Sequence, residues 1–185
     1  MKLVTDMKTI IVTGEIGAGK SVVCGILRSR GIPVYDCDSR AKALYGTHPE
    51  LAAMVCDDIF ARPQRLKALE DALFPVLMED FRQWAEESSC RFVALESATI
   101  LQKTFFDGFG DYVLWVQASP DLRMARALGR GGISPESIRR RMALQGDFSS
   151  SERVDCVIDN SSDLQHLENQ VNDFLNRINY GKRTN

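Results

Sequence analysis

Thr9-Ile10-Ile11-Val12-Thr13-Gly14-Glu15-Ile16-Gly17-Ala18-Gly19-Lys20-Ser21 decides the fold. The apolar, β-branched run predicts a buried strand, and it opens directly into G-x-x-x-x-G-K-S. Val22, Val23, Ile26 and Leu27 follow at helical spacing. Strand, glycine-rich loop and helix in that order are the setting a phosphate-binding P-loop needs. Gly14, Gly17 and Gly19 allow a turn tight enough for successive N–H groups to point at phosphate oxygens, and the helix N-terminus adds partial positive charge. Glu15, Ile16, Ala18 and Val22 complete the nucleotide-binding stretch. Lys20 is expected to reach the β- and γ-phosphates, and Ser21 to offer its hydroxyl to Mg²⁺.

Outward from that loop, the chain predicts one α/β domain over residues 1–185. Its 185 residues are 44% hydrophobic, enough for a core, and the net charge of -2 gives no electrostatic case for nucleic acid. No apolar run approaches a membrane span, and Met1–Asp6 carries no long apolar leader, so a cytoplasmic protein is expected. Five cysteines without metal spacing predict reduced thiols; Cys24, Cys56, Cys90 and Cys156 stand among apolar neighbours and read as buried. His48 and His166, in polar surroundings, read as surface residues.

Ile32–Tyr35 predicts a second strand that delivers Asp36-Cys37-Asp38 to the edge holding the P-loop. If the chain stays extended there, both carboxylates share a face, suited to Mg²⁺ and to a base for an acceptor hydroxyl. The same residues also suit a turn in which Asp38 or Ser39 caps the next helix. Residues 39–88 then read as helical, too long for one crossover, with a break near Phe74 and a restart at Pro75. This insertion is the expected acceptor-binding wall. Strands follow at Arg91–Glu96, where Glu96 is a candidate substrate-side acid, at Tyr112–Val116 and at Val154–Ile158. Ser119-Pro120-Asp121 and Ser134-Pro135-Glu136 cap two helices, the first with Leu122, Met124, Ala125 and Leu128 as its apolar residues. Arg123, Arg126, Arg130 and Arg139–Arg141 decorate this segment, and residues 120–148 predict a lid over phosphates, with Arg126 and Arg130 the preferred pair. Ser162 and Gln165 read as a capping box for a last helix, and Gly181–Asn185 as a disordered tail.

The ordered motifs I-V-T-G-E-I-G-A-G-K-S, V-Y-D-C-D-S-R-A-K-A-L, A-L-E-S-A-T, V-Q-A-S-P-D-L-R-M-A-R, I-S-P-E-S-I-R-R-R-M-A-L-Q and V-D-C-V-I-D-N resemble the dephospho-CoA kinase family, nearly end to end. The resemblance implies a three-layer P-loop kinase fold, with a five-stranded parallel sheet in order 2-3-1-4-5, a helical acceptor-binding insertion and a helical lid. It implies ATP and Mg²⁺ as cofactors and dephospho-CoA as the small-molecule partner, with no nucleic acid or membrane, in a monomer or weak oligomer. Asp36 would take the proton of the ribose 3′-hydroxyl and stand beside the metal with Ser21. Lys20 and Arg141 would be catalytic, Asp36, Asp38 and Glu96 would face the acceptor, Asn160 would line the adenine pocket, and Gln145 would belong to the lid. Phe74-Pro75 stands where the family has His-Pro, Thr99–Lys103 replaces a leucine-rich turn, and Arg130-Gly131-Gly132 replaces Arg-Asp-Gly. Two other functions suit the same residues: a kinase for another small hydroxyl acceptor, and a nucleotide-binding module that has lost transfer.

Overall fold

The computed structural model describes residues 7–56, 59, 62–131 and 134–180, and of residue 144 the backbone only. Gly132, the residues before Met7 and those after Tyr180 lie outside the described residues, and so do the expectations placed on them.

The chain runs β1 (Lys8–Gly14), α1 (Lys20–Ser29), β2 (Val34–Asp36), α2 (Cys37–Thr47), α3 (Pro49–Ala52), α4 (Pro63–Ser88), β3 (Phe92–Glu96), β4 (Tyr112–Gln117), α5 (Pro120–Gly129), α6 (Pro135–Leu144), β5 (Cys156–Asp159) and α7 (Leu164–Arg177). Two single 3₁₀ turns, Ile100–Gln102 and Thr104–Phe106, join β3 to β4. The sheet is five-stranded and parallel in order β2-β3-β1-β4-β5. All carboxyl ends therefore meet at one edge. Register places Asp36 opposite Glu96, Glu96 opposite Val12, and Gly14 opposite Val116.

Side chains alternating along β1 divide the core in two. Ile10 and Val12 pack with Val23, Leu27, Val171 and Phe174 under α1 and α7. Ile11 faces the other way, into Tyr35, Leu73, Phe81, Leu95 and Trp115 under α2 and α4. Burying a Leu or Phe side chain contributes roughly 1.5–3 kcal/mol, so each face is held by its own apolar layer. The strand ends between the layers are left for chemistry.

Several local expectations are corrected. The helix does not break at Pro75: α4 is continuous through it. Pro75 is exposed, while Leu69, Leu73, Leu77, Met78, Phe81 and Ala85 form one buried stripe on either side of it. An interior proline costs about 3 kcal/mol, and six buried residues outweigh that. The chain does not stay extended from Asp36 to Asp38: Asp36 ends β2, and Asp38 is already helical. The helix starts at Cys37, and Asp36 itself is the cap, accepting from the Ser39 backbone N–H at 3.0 Å and the Ser39 hydroxyl at 3.1 Å. The final helix is capped by Asp163, not Ser162, because Asp163 accepts from the His166 N–H at 2.8 Å. The second and last strands each begin two residues later than expected.

Of the five thiols only Cys24 and Cys37 are buried; Cys56, Cys90 and Cys156 are half-buried. His166 is exposed and His48 is half-buried. On α5 the expected face is inverted. Leu122 and Leu128 are exposed, and the buried residues are Arg123 and Ala127. No helix among the described residues is long and apolar enough to cross a membrane.

Candidate nucleotide and phosphoryl-transfer site

The P-loop closes under constraints that come from three other elements. Gly17 has φ +77, and a Cβ there would lie 2.3 Å from the Arg123 carbonyl oxygen on α5. At Gly19, with φ +99, a Cβ would lie 1.9 Å from Asn160 Nδ2, after β5. Both positions therefore require glycine twice over, by dihedral and by space. Gly19 is also the N-cap of α1 and supplies no side-chain oxygen, so no side chain covers the first N–H groups of that helix. Uncovered N-terminal amides with the helix dipole behind them favour an anion.

Three side chains hold the loop in this shape. Arg123 Nη1 donates to Glu15 and its Nε to the Ile16 carbonyl at 3.3 Å. Gln145, at the end of α6, accepts from the Ile16 N–H at 2.6 Å. Asn160 donates through Nδ2 to the Ala18 carbonyl at 2.8 Å. Lys20 completes the loop by donating to the carbonyls of Gly14 at 3.0 Å and Glu15 at 3.3 Å.

Beyond Lys20 the strand ends gather acids. Glu96 Oε1 lies 3.9 Å from Lys20 Nζ, and both side chains are mostly buried. Burial lowers the Lys20 pKa, although Glu96 and Asp38 pull it the other way. Burial pushes the Glu96 carboxyl up to about 7; Lys20 opposes the shift, Asp36 and Asp38 add to it, and Arg130 opposes it. Partners of opposite charge both displaced toward neutrality show that desolvation outweighs an attraction at this separation. Cys24 feels the same burial, and its thiol is pushed up to about 12. It is no nucleophile at neutral pH.

A cavity of about 430 Å³ opens on the other side of the loop, lined by Gly19, Val22, Arg126, Arg130, Asn160, Ser162, Leu164 and Leu167. Arg126 Nη2 donates to the Asn160 carbonyl at 3.0 Å, while its Nη1 is buried with no hydrogen-bond partner. Leu164 is 56% exposed and forms one wall. Polar groups near the loop and apolar ones farther out suit a phosphate followed by a flat base.

The structure thus gathers Gly14–Val22, Arg126, Arg130 and Asn160 around one loop and cavity, and Asp36, Asp38 and Glu96 beyond Lys20. Arg141 lies exposed on the last turn of α6. Arg123 was hidden in sequence as one of six arginines. Its signal was Ala127 four residues on, a small residue marking the face that turns inward. Among the described residues no group of three or more His, Cys, Asp or Glu could cage a metal. Mg²⁺ commonly takes one or two carboxylates and leaves its other positions to water and phosphate. The hard oxygens of Ser21 and the strand-end carboxylates fit such a partial set.

Comparison with known proteins gives a consistent family. The family model for dephospho-CoA kinase matches residues 47–166, more than half of the chain. A dephospho-CoA kinase of Porphyromonas gingivalis is 38% identical over 158 residues, covering 75% of this chain and 78% of that protein. One from Bacteroides fragilis is 31% identical over 173 residues, covering 82% and 84%. Among solved structures, a Thermus thermophilus protein superposes with a TM-score of 0.80 at 28% identity, covering 94% of this chain and 99% of its own. A shikimate kinase of Bacteroides thetaiotaomicron, at 13% identity and a TM-score of 0.62 over 94% and 99%, shares the fold.

Proposed function

The chain belongs to the dephospho-CoA kinase family, and from that premise we propose that it moves the γ-phosphoryl group of ATP to the ribose 3′-hydroxyl of dephospho-CoA. The observation that carries the reading is the placement of two surfaces on either side of Lys20. A base-sized cavity adjoins the P-loop on one side, and Asp36, the cap of α2, stands in register with Glu96 on the other. Phosphoryl transfer needs a donor and an acceptor held in line across one cation.

In this reading the P-loop amides and Lys20 hold the β- and γ-phosphates, and Arg126, Arg130 and Asn160 bracket the nucleotide. The hydroxyl oxygen forms its bond to the γ-phosphorus as the bond to the β-phosphate oxygen breaks. The hydroxyl proton passes to Asp36, whose two oxygens each carry one hydrogen bond from Ser39 and keep lone pairs to spare. Asp38 and Glu96 face the acceptor. Arg141 closes with the lid, residues 120–148, onto the transferring group, and residues 39–88 form the acceptor wall within a single domain of residues 1–185. Ser21 and Asp36 would hold Mg²⁺, which when bound neutralises charge on the β- and γ-oxygens. We place the protein in the cytoplasm, as a monomer or weak oligomer.

Turnover of ATP with a panel of acceptors tests this. Dephospho-CoA should be phosphorylated, with adenosine, nucleoside monophosphates and shikimate turned over at least about 10²-fold less efficiently, a ratio that acceptor contacts of a few kcal/mol can supply. A better nucleoside acceptor would favour the other-acceptor kinase, and no acceptor at all the binding module.

A further inference from the structure

The segment that carries Asp36 is gripped from both sides by a residue that the chemistry above does not use. Tyr35, immediately before Asp36, is buried, and its hydroxyl donates to Asp80 Oδ2 at 2.6 Å, with the Leu77 carbonyl oxygen 3.2 Å away. Arg40, one helical turn after Asp36, donates to the same carboxylate from Nε at 2.8 Å and Nη2 at 2.5 Å. Its guanidinium also lies 5.5 Å from the centre of the Tyr35 ring. That ring is wedged edge-on against Phe81 at 5.2 Å and Trp84 at 5.3 Å, both on α4. Asp80, on the same helix, therefore binds the residue before the base and the residue four after it.

We propose that Asp80 is a positioning residue for phosphoryl transfer: it clamps the β2–α2 junction through Tyr35 and Arg40, and so fixes where the Asp36 carboxylate meets the acceptor hydroxyl. The proposal rests on Asp36 being the base. A bidentate guanidinium–carboxylate pair is directional as well as strong, and here it ties the proposed acceptor wall to the base itself. Burial pushes the Asp80 carboxyl up, but the hydrogen bonds from Arg40 and Tyr35 outweigh it and hold the group below its usual range. The Tyr35 hydroxyl is pushed up by burial and by Asp80. The acceptor and donor roles in the clamp are thus unchanged across neutral pH. Glu70, one of the other acids on α4, is engaged elsewhere, with Lys103 at 2.6 Å.

Single-turnover rates of four proteins test the clamp: wild type, Asp80→Asn, Asp36→Asn and the double variant, each with saturating ATP, Mg²⁺ and dephospho-CoA. A base displaced by a fraction of an ångström loses about 10–100-fold in rate. Asp80→Asn should show that loss with ATP affinity within about twofold, because no phosphate contact is touched. In the Asp36→Asn background the same substitution should change the rate by less than about twofold, since there is no base left to misplace. Equal losses in both backgrounds would mean a general structural role and overturn the proposal. So would an unaltered rate for Asp80→Asn beside a damaged Asp36→Asn. A normal rate for Asp36→Asn would instead remove the base assignment beneath it. If Asp80→Asn does not fold, Arg40→Gln replaces it in the same cycle, leaving the Tyr35–Asp80 bond in place.

Discussion

Asp36 and Asp38 stand two residues apart and meet different fates. Asp36 ends β2 and caps α2, so the sheet and the helix both fix it, whereas Asp38 lies exposed in the first turn of α2. Asp36→Asn keeps shape and hydrogen bonding but removes the basic oxygen. We expect kcat to fall by about 10²–10⁴, with ATP affinity within a few-fold, and Asp38→Asn to do less. Greater damage from Asp38→Asn in steady-state assays would reverse the assignment. Glu96 supports a prediction of a different kind. Its carboxyl binds a proton more tightly in the folded chain, at about 7 against an ordinary 4.5, chiefly through burial. The native state therefore holds the extra proton between those values, and stability falls as pH rises through them, by about 3 kcal/mol at most. Glu96→Gln should remove that slope, so its melting temperature should gain on wild type from pH 5 to pH 8. Parallel melting curves across that range would show that Glu96 does not titrate there.

The loop and the strands were legible in sequence because each is a local signal: β-branched runs, glycine spacing, Ser-Pro caps; their order in the sheet came from the family resemblance alone. What sequence hid are the pairings over long separations that give those elements their edges. Nothing in Arg123 itself names Glu15, which precedes it by 108 residues, and the apolar residues around it pointed to the wrong face of α5. The tyrosine of V-Y-D reads as one more strand residue until α4 supplies Asp80. Pro75 failed as a helix stop for a related reason, since local propensity yields to a buried stripe on both sides. The Arg123–Glu15 pair gives this scale its test. Both side chains are nearly enclosed, and removing one partner of such a pair costs about 3–5 kcal/mol because a buried charge is left alone. Arg123→Met should therefore unfold at markedly lower denaturant, and Glu15→Gln in the same chain should restore much of the loss. A single variant within about 1 kcal/mol of wild type would mean that the pair is solvated in solution.

Across the whole molecule the elements around the shared edge are anchored unequally. The layer under α1 and α7 and the layer under α2 and α4 both reach the sheet through many buried side chains. The segment above the edge does not. Among the described side chains of α6, Ile138 is the one fully buried, and Arg139, Arg140 and Arg141 are exposed. Its neighbour α5 is rooted by Arg123 and Arg126, and the end of α6 touches the P-loop through Gln145. A helix tied at its end but barely buried along its length opens locally at low cost. Binding energy from a polyphosphate can then close it, because exposed guanidinium groups gain charge-assisted hydrogen bonds on closing. Hydrogen exchange should consequently slow in Pro135–Leu144 on saturation with ATP and Mg²⁺, while α4 and α7, already packed, change little. Lys20→Ala should blunt the effect, because it removes the lysine proposed to meet the phosphates and the nucleotide should bind less well. Exchange in α6 that is the same with and without nucleotide would refute a lid at this position, even in an enzyme that turns over normally.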